Sequence, residues 1–145
     1  MAYWLFKSEP DAWSWDQQVD KGADGEEWGG VRNYQARNNM RAMKRGDLGF
    51  FYHSNQGKAV VGIVEVCAES APDSTTEDPR WDCVHICAVR PMPHPVTLDD
   101  CKAEPRLADM ALVKYTRLSV QPVTAAEWQV VCEMGGLDAN SLSTS

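Results

Sequence analysis

The 145-residue sequence lacks any apolar run of the roughly 18 residues that a membrane span requires, and its start has no basic-then-apolar leader. We therefore expect a soluble cytoplasmic protein, or a nuclear one in a eukaryote, with no membrane partner. The five cysteines, Cys67, Cys83, Cys87, Cys101 and Cys132, are odd in number and contain no C-x-x-C pair, which argues against a disulfide framework and for reduced core thiols. Cys83, His85 and Cys87 alternate along one stretch, too flat a spacing for a tetrahedral metal site, so no metal is expected. Walker A, G-x-G-x-x-G, H-E-x-x-H, G-x-S-x-G and nucleobase-deaminase signatures are all missing, and no cofactor is implied. Positive charge is also scarce, with 14 Lys and Arg against 21 Asp and Glu, a net of -7. A chain this acidic cannot coat a polyanion by bulk charge, so any such site must be local.

What is present is ordinary for one folded domain: 43% hydrophobic and 24% charged residues, with no internal repeat. Tyr3-Trp4-Leu5-Phe6 predicts a strand over Ala2–Lys7 buried on both faces and ended by Pro10. Ser14 and Gln17 have capping-box spacing for a short helix stopped by Gly22, and Gly22–Gly30 reads as loop. Asn33 caps a helix to about Arg45, with Ala36, Met40 and Met43 on its apolar side and Gly46 closing it. Leu48–His53 and Ala59–Val66 predict a hairpin across the turn-like Ser54–Lys58.

Further on, Ala68–Pro79 reads as a surface loop, Asp82–Arg90 as a strand, and Pro91–Pro95 as a break. Thr97 with Asp100 caps one helical turn before Pro105. Val113–Val123 reads as a last strand. Thr124 with Glu127 opens a helix carrying Trp128, Val131 and Cys132, stopped by Gly135 and Gly136, and Asp138–Ser145 as a frayed tail. This order is not a regular βαβ alternation and predicts an α+β domain around a curved or partly closed sheet.

Charge placement is the most informative feature. Arg32, Arg37, Arg41, Lys44 and Arg45 stand together with no acid among positions 32–45; residues 28–58 carry +5 and the remainder -12. On a helix Arg37, Arg41 and Arg45 share a face, and guanidinium forks one turn apart, about 5.4 Å, suit successive phosphates. The alternative is a solvated face paired with acids elsewhere. Aromatics interleave with this stretch, Trp28 before it, Tyr34 within it and Phe50, Phe51, Tyr52 and His53 after it, as single-stranded or flipped nucleotides require for stacking. Phe50 and Phe51 read better as core, whereas Trp28 lies in a Gly-flanked polar loop with no periodicity to explain it. Lys7 and Glu9 end the first strand, about 6.6 Å apart along it, either as an ion pair or acid/base pair or as solvated strand-end charges.

Tyr3-Trp4-Leu5-Phe6-Lys7-Ser8-Glu9-Pro10, Trp28-Gly29-Gly30-Val31-Arg32-Asn33-Tyr34-Gln35-Ala36-Arg37-Asn38, Gly46-Asp47, Phe51-Tyr52-His53-Ser54 and Arg117-Leu118-Ser119-Val120 together resemble the EVE domain family. The resemblance covers nearly the whole chain, with residues 1–137 as the domain and 138–145 as a flexible tail. It implies a PUA-like mixed pseudo-barrel with peripheral helices, related to YTH and ASCH domains. It also implies a pocket for a nucleobase, with a family preference for modified cytosines in DNA or RNA.

Carried over residue by residue, the base pocket comprises Lys7, Ser8, Glu9, Trp28, Gly30, Val31, Asn33, Tyr52, His53, Ser54 and Ser119. Phosphates fall to Arg32, Arg37, Arg41, Lys44 and Arg45. Trp28 and Tyr52 are expected to stack on or edge the base, Asn33, Ser8 and Ser54 to hydrogen-bond it, and Gly30 to permit close approach. The expected partner is single-stranded or flipped-base nucleic acid, bound by a monomer that does no chemistry. The competing expectation, drawn from ASCH-related amidohydrolases, is a small hydrolase of modified nucleosides using Lys7 and Glu9 in the same pocket.

Overall fold

A computed structural model describes residues 2–54, 57–115 and 117–139. One six-stranded mixed sheet organises it: β1 (Tyr3–Ser8), β2 (Glu26–Glu27), β3 (Leu48–His53), β4 (Ala59–Pro72), β5 (Asp82–Thr97) and β6 (Val120–Val123), in spatial order β2-β5-β4-β3-β1-β6. The sheet is open. β1 runs parallel to β3 and antiparallel to β6, and the remaining pairs are antiparallel. Five helices flank it: α1 (Trp15–Asp20), α2 (Tyr34–Ala42), α3 (Leu98–Ala103), α4 (Ala111–Lys114) and α5 (Ala125–Met134). None of the described helices is long and apolar enough to cross a membrane.

Strand alternation creates two cores. Leu5, Phe50, Tyr52 and Ile63 pack with Trp128, Val131, Leu107 and Met110 on the side of α3, α4 and α5. Trp4, Phe6, Phe51 and Val64 pack with Trp15, Trp28, Met40 and Met43 on the side of α1 and α2. Trp128 lies at the centre of the first, stacked at 4.1 Å on Phe50 and 4.6 Å on Tyr3. Cys83, Cys101 and Cys132 are buried free thiols, and Cys67 and Cys87 are partly buried ones.

The capping boxes at Ser14, Thr97 and Thr124 all form, and Asn33 Oδ1 accepts the Ala36 amide to cap α2. Several expected boundaries are corrected. The helix from Asn33 stops at Ala42 instead of Arg45, because Met43 turns extended into the core and the buried Asp47 carboxylate captures the Lys44 amide. Asp47 also accepts the Trp4 indole N–H at 3.0 Å, tying this turn to β1. The Gly22–Gly30 stretch is not all loop: it holds a 3-10 turn (Gly22–Asp24) and β2, paired with His85 and Ile86 of β5.

β4 continues through Pro72, shortening the expected 68–79 loop. β5 continues through Pro91–Pro95 because the four residues 92–95 bulge opposite Val61 alone, between the Gly62–Pro91 and Val60–Val96 pairs, where the missing N–H groups of Pro93 and Pro95 cost no ladder bond. The expected strand over Val113–Val123 is only β6, preceded by α4. Residues 55 and 56 of the hairpin connector and residues 140–145 of the expected tail lie outside the described residues.

Candidate functional site

At one end of β1, on the side of α1 and α2, the chain leaves a cavity of about 580 Å³, within the ordinary range for ligand pockets. Lys7, Ser8 and Glu9 from the end of β1, Glu26 and Glu27 of β2, the loop Trp28–Arg32, Ala12 and Trp13 before α1, and Ser119 before β6 line it. Backbone hydrogen bonds fix each wall. The Lys7 amide donates to Ser119 O at 2.8 Å, the Trp28 amide to Val84 O at 2.8 Å, and the Ala12 and Trp13 amides to Glu9 O. The Ser8 hydroxyl donates to Trp13 O. Trp13 Nε1 donates to Gln18 Oε1, and the fully buried Gln18 passes the connection to Ile86 O of β5.

Trp28 is 8% exposed, held edge-on by Phe6 at 5.5 Å and Phe51 at 5.9 Å, so the one large ring of this loop is locked where it meets the cavity. Beneath the loop is a polar brace. Asp73, 2% exposed, accepts from the Gly30 amide at 2.9 Å, the Thr75 amide and hydroxyl, and Arg32 Nη1 at 3.2 Å. Burial pushes its carboxyl up, but the Thr75, Gly30 and Arg32 donors outweigh that and hold it at about 2. Glu27 receives the Ser74 hydroxyl and amide, and the Ser74 hydroxyl bond lowers its pKa. Only glycine fits at position 29, where a Cβ would lie 2.9 Å from Asp73 Oδ1 and 3.1 Å from Glu27 Oε1; Gly30 adopts φ +79.

Glu27, Asp73 and Cys83 bring potential metal ligands within 4.8 Å of one another. Their chemistry is that of the brace: both Glu27 oxygens and both Asp73 oxygens already accept hydrogen bonds. Burial, with the nearby Glu27 and Asp73 carboxylates, pushes the Cys83 thiol up to about 12.

Of the residues singled out from sequence, Lys7, Ser8, Glu9, Trp28, Gly30, Val31, Arg32 and Ser119 meet in the cavity. Four do not. Asn33 is spent as the α2 cap and borders a second hollow with Gln35, Tyr115 and Arg117. Tyr52 falls on the opposite sheet face from Phe51, joins the α5-side core and, with Ser54, lines another hollow that Lys7 also borders; burial raises its hydroxyl to about 12. His53 Nε2 accepts the Trp15 amide at 3.1 Å and anchors α1. Sequence reasoning missed Ala12, Trp13, Glu26, Glu27 and Gly29. The pair Glu26-Glu27 directly before Trp28 was the available signal.

The basic residues divide. Arg32 pairs with Asp73, and Arg41 with Asp82 at 2.6 Å, so these two are arginines matched by acids. Arg37 meets Asn38 Oδ1, Arg80 O and the Tyr34 ring but has no carboxylate partner among the described residues. Lys44 and Arg45 are exposed beyond the end of α2, off the Arg37–Arg41 stripe. Lys7 is half-buried, its Nζ donates to Tyr115 O at 3.3 Å, and burial lowers its pKa.

Comparison with known proteins agrees with this architecture. The EVE domain family matches residues 2–134. Thymocyte nuclear protein 1 of Mus musculus is 34% identical over 169 aligned positions, covering 91% of this chain and 73% of that protein. A crystal structure of a protein from Agrobacterium tumefaciens is 66% identical, covers 96% of each chain and superposes with a TM-score of 0.95. The human THYN1 protein, solved in complex with 5-methylcytosine-containing DNA, is 32% identical over 93% of this chain and 98% of that one, with a TM-score of 0.88.

Proposed function

The chain belongs to the EVE domain family, and from that footing we propose that it is a nucleic-acid-binding module taking a modified, cytosine-type base into the Trp28 cavity. The observation that carries this reading is one cavity combining a locked indole, carboxylates and an arginine rim, in the fold of a human relative solved with 5-methylcytosine-containing DNA. A cytosine-type base presents an exocyclic amine as donor and ring nitrogen and carbonyl as acceptors. Glu9 and Glu26 are carboxylates suited to the amine, while Lys7 and the Ser119 hydroxyl suit the acceptors. Trp28 and Val31 supply apolar contact for a 5-methyl group, worth about 1–3 kcal/mol of discrimination, roughly 10- to 200-fold. Arg32 at the rim, with Arg37 beyond it, meets the phosphates. The net charge of -7 disfavours long duplex and favours a single-stranded or flipped base.

The test is equilibrium binding of short single- and double-stranded oligonucleotides carrying cytosine, 5-methylcytosine or 5-hydroxymethylcytosine, at low and physiological salt. Trp28→Ala is a poor lone control because Trp28 also packs on Phe6 and Phe51. Val31→Trp, which fills the cavity from its wall, accompanies it. Modification-dependent binding abolished by Val31→Trp supports the reading; absence of binding to every oligomer at low salt refutes it.

One observation favours a second reading. A half-buried Lys7 amine whose pKa burial lowers, in a residue that lines the same cavity as Glu9, is suited to act as nucleophile or base on a modified nucleoside. Turnover of acylated cytidines, lost in Lys7→Ala, would establish it, and no turnover would dismiss it.

A further inference from the structure

The loop 73–81 folds back over the start of α2 and builds a feature that the cavity does not use. Tyr34 stacks on Trp81 with ring centroids 5.0 Å apart and planes 24° apart. The Arg32 guanidinium lies 5.2 Å from the Trp81 ring centre, and that of Arg37 lies 4.9 Å from Tyr34. Arg80 Nη1 donates to the Tyr34 hydroxyl at 3.3 Å, while its Nε and Nη2 grip Asp78. Trp81 is buried at 8% exposure, yet Tyr34 is 51% exposed, a large ring open to solvent where the fold gains nothing from leaving it out.

We propose that this ledge holds the nucleotide adjacent to the one in the cavity, its base against the open part of Tyr34 and the Arg37 plane and its phosphate at Arg80. The proposal rests on the cavity reading. Three observations carry it. The ledge is continuous with the cavity, because Arg32 belongs to both. It alternates cations with aromatic rings, the combination that binds single strands by stacking and phosphate contact together. Its guanidinium groups are oriented in advance, since Trp81 props Tyr34, and Tyr34 with Asp78 fixes Arg80. Asp78 then has a second consequence: it orients Arg80 but also competes with an incoming phosphate.

The experiment compares 5-methyldeoxycytidine as a free nucleoside with single-stranded trinucleotides carrying it centrally, in deoxy and ribo form, on the full chain. The trinucleotide should bind more tightly than the nucleoside. Tyr34→Ala and Arg80→Ala should each weaken the trinucleotide by at least about fivefold, the low end for loss of a stacked base, and leave the nucleoside unchanged. Asp78→Asn should strengthen the trinucleotide by about two- to fivefold, as release of an exposed ion pair allows; a merely structural role for Asp78 predicts no gain. Equal binding of nucleoside and trinucleotide, or equal losses for both ligands in Tyr34→Ala and Arg80→Ala, overturns the ledge while leaving the cavity reading intact. If neither ligand binds, the cavity reading fails and the ledge falls with it.

Discussion

Replacing Asp73 by Asn keeps shape and volume but removes the charge that four donors converge on. In the folded chain the carboxyl sits at about 2 against an ordinary 3.8, and at about 1.36 kcal/mol per tenfold in proton affinity this is about 2.4 kcal/mol of stability at neutral pH. The side chain is 1% exposed, so solvent does not discount the figure. The Asn amide must also turn an N–H toward either the Gly30 or the Thr75 donors, leaving one of them unsatisfied. We expect Asp73→Asn to lose about 2–4 kcal/mol at pH 7, lowering Tm by roughly 5–15 °C for a chain of this size.

The pH dependence has a definite sign. A carboxyl depressed on folding stabilises above its unfolded pKa, and the stability goes as pH falls toward the folded one. The gap between wild type and Asp73→Asn, measured by urea unfolding, should therefore be constant above about pH 5 and shrink by roughly 1 kcal/mol at about pH 3. An Asn variant as stable as wild type at pH 7, or a gap unchanged down to pH 3, would refute the brace as described. Because the same carboxylate positions Gly30 and Arg32, ligand affinity should fall in parallel.

Other expectations follow from the same geometry. His53 is held below its ordinary 6.5 by burial, with its Nε2 accepting the Trp15 amide, so wild-type stability should decline as pH drops below about 6.5; His53→Gln should remove that part of the slope in pH-dependent unfolding. Gly62→Ala would drive a Cβ into the Trp15 ring and should destabilise by about 1–3 kcal/mol in denaturant melts, with a wild-type midpoint refuting the contact. Arg37→Glu should flatten the salt dependence of oligonucleotide binding, whereas Arg41→Glu, facing Asp82, should mainly lower Tm. Identical salt slopes for Arg37→Glu and wild type would remove Arg37 from the phosphate path.

Helix starts were the most legible part of the fold, because Ser14-x-x-Gln17, Thr97-x-x-Asp100 and Thr124-x-x-Glu127 close their hydrogen bonds within four residues and need nothing from the rest of the chain. β2 was illegible for the opposite reason: Glu26 and Glu27 have no strand preference of their own and are strand only because β5 offers an edge. The prolines of β5 misled because a bulge, which no local pattern announces, removes the need for their N–H groups. In the candidate site, Trp28 was readable as an aromatic without periodicity. Trp81 in its polar loop carries the same signal, and reading it would have brought the 73–81 loop into the site. Tyr52, by contrast, was drawn in by the resemblance carried by Phe51-Tyr52-His53-Ser54, whereas strand alternation sends it to the face opposite Phe51 and into the α5-side core.

The placement of β1 between β3 and β6 governs when the sheet can be completed during synthesis. Within the domain, the first strand in chain order is an interior one. It must wait for Leu48–His53 to supply one neighbour and for Val120–Val123 to supply the other. The Lys7–Ser119 bond that closes the cavity wall joins opposite ends of the domain, so it forms among the last. A nascent chain halted before residue 119 would carry Trp28 without the Ser119 wall of the cavity. A complete cavity therefore requires that translation has passed residue 119.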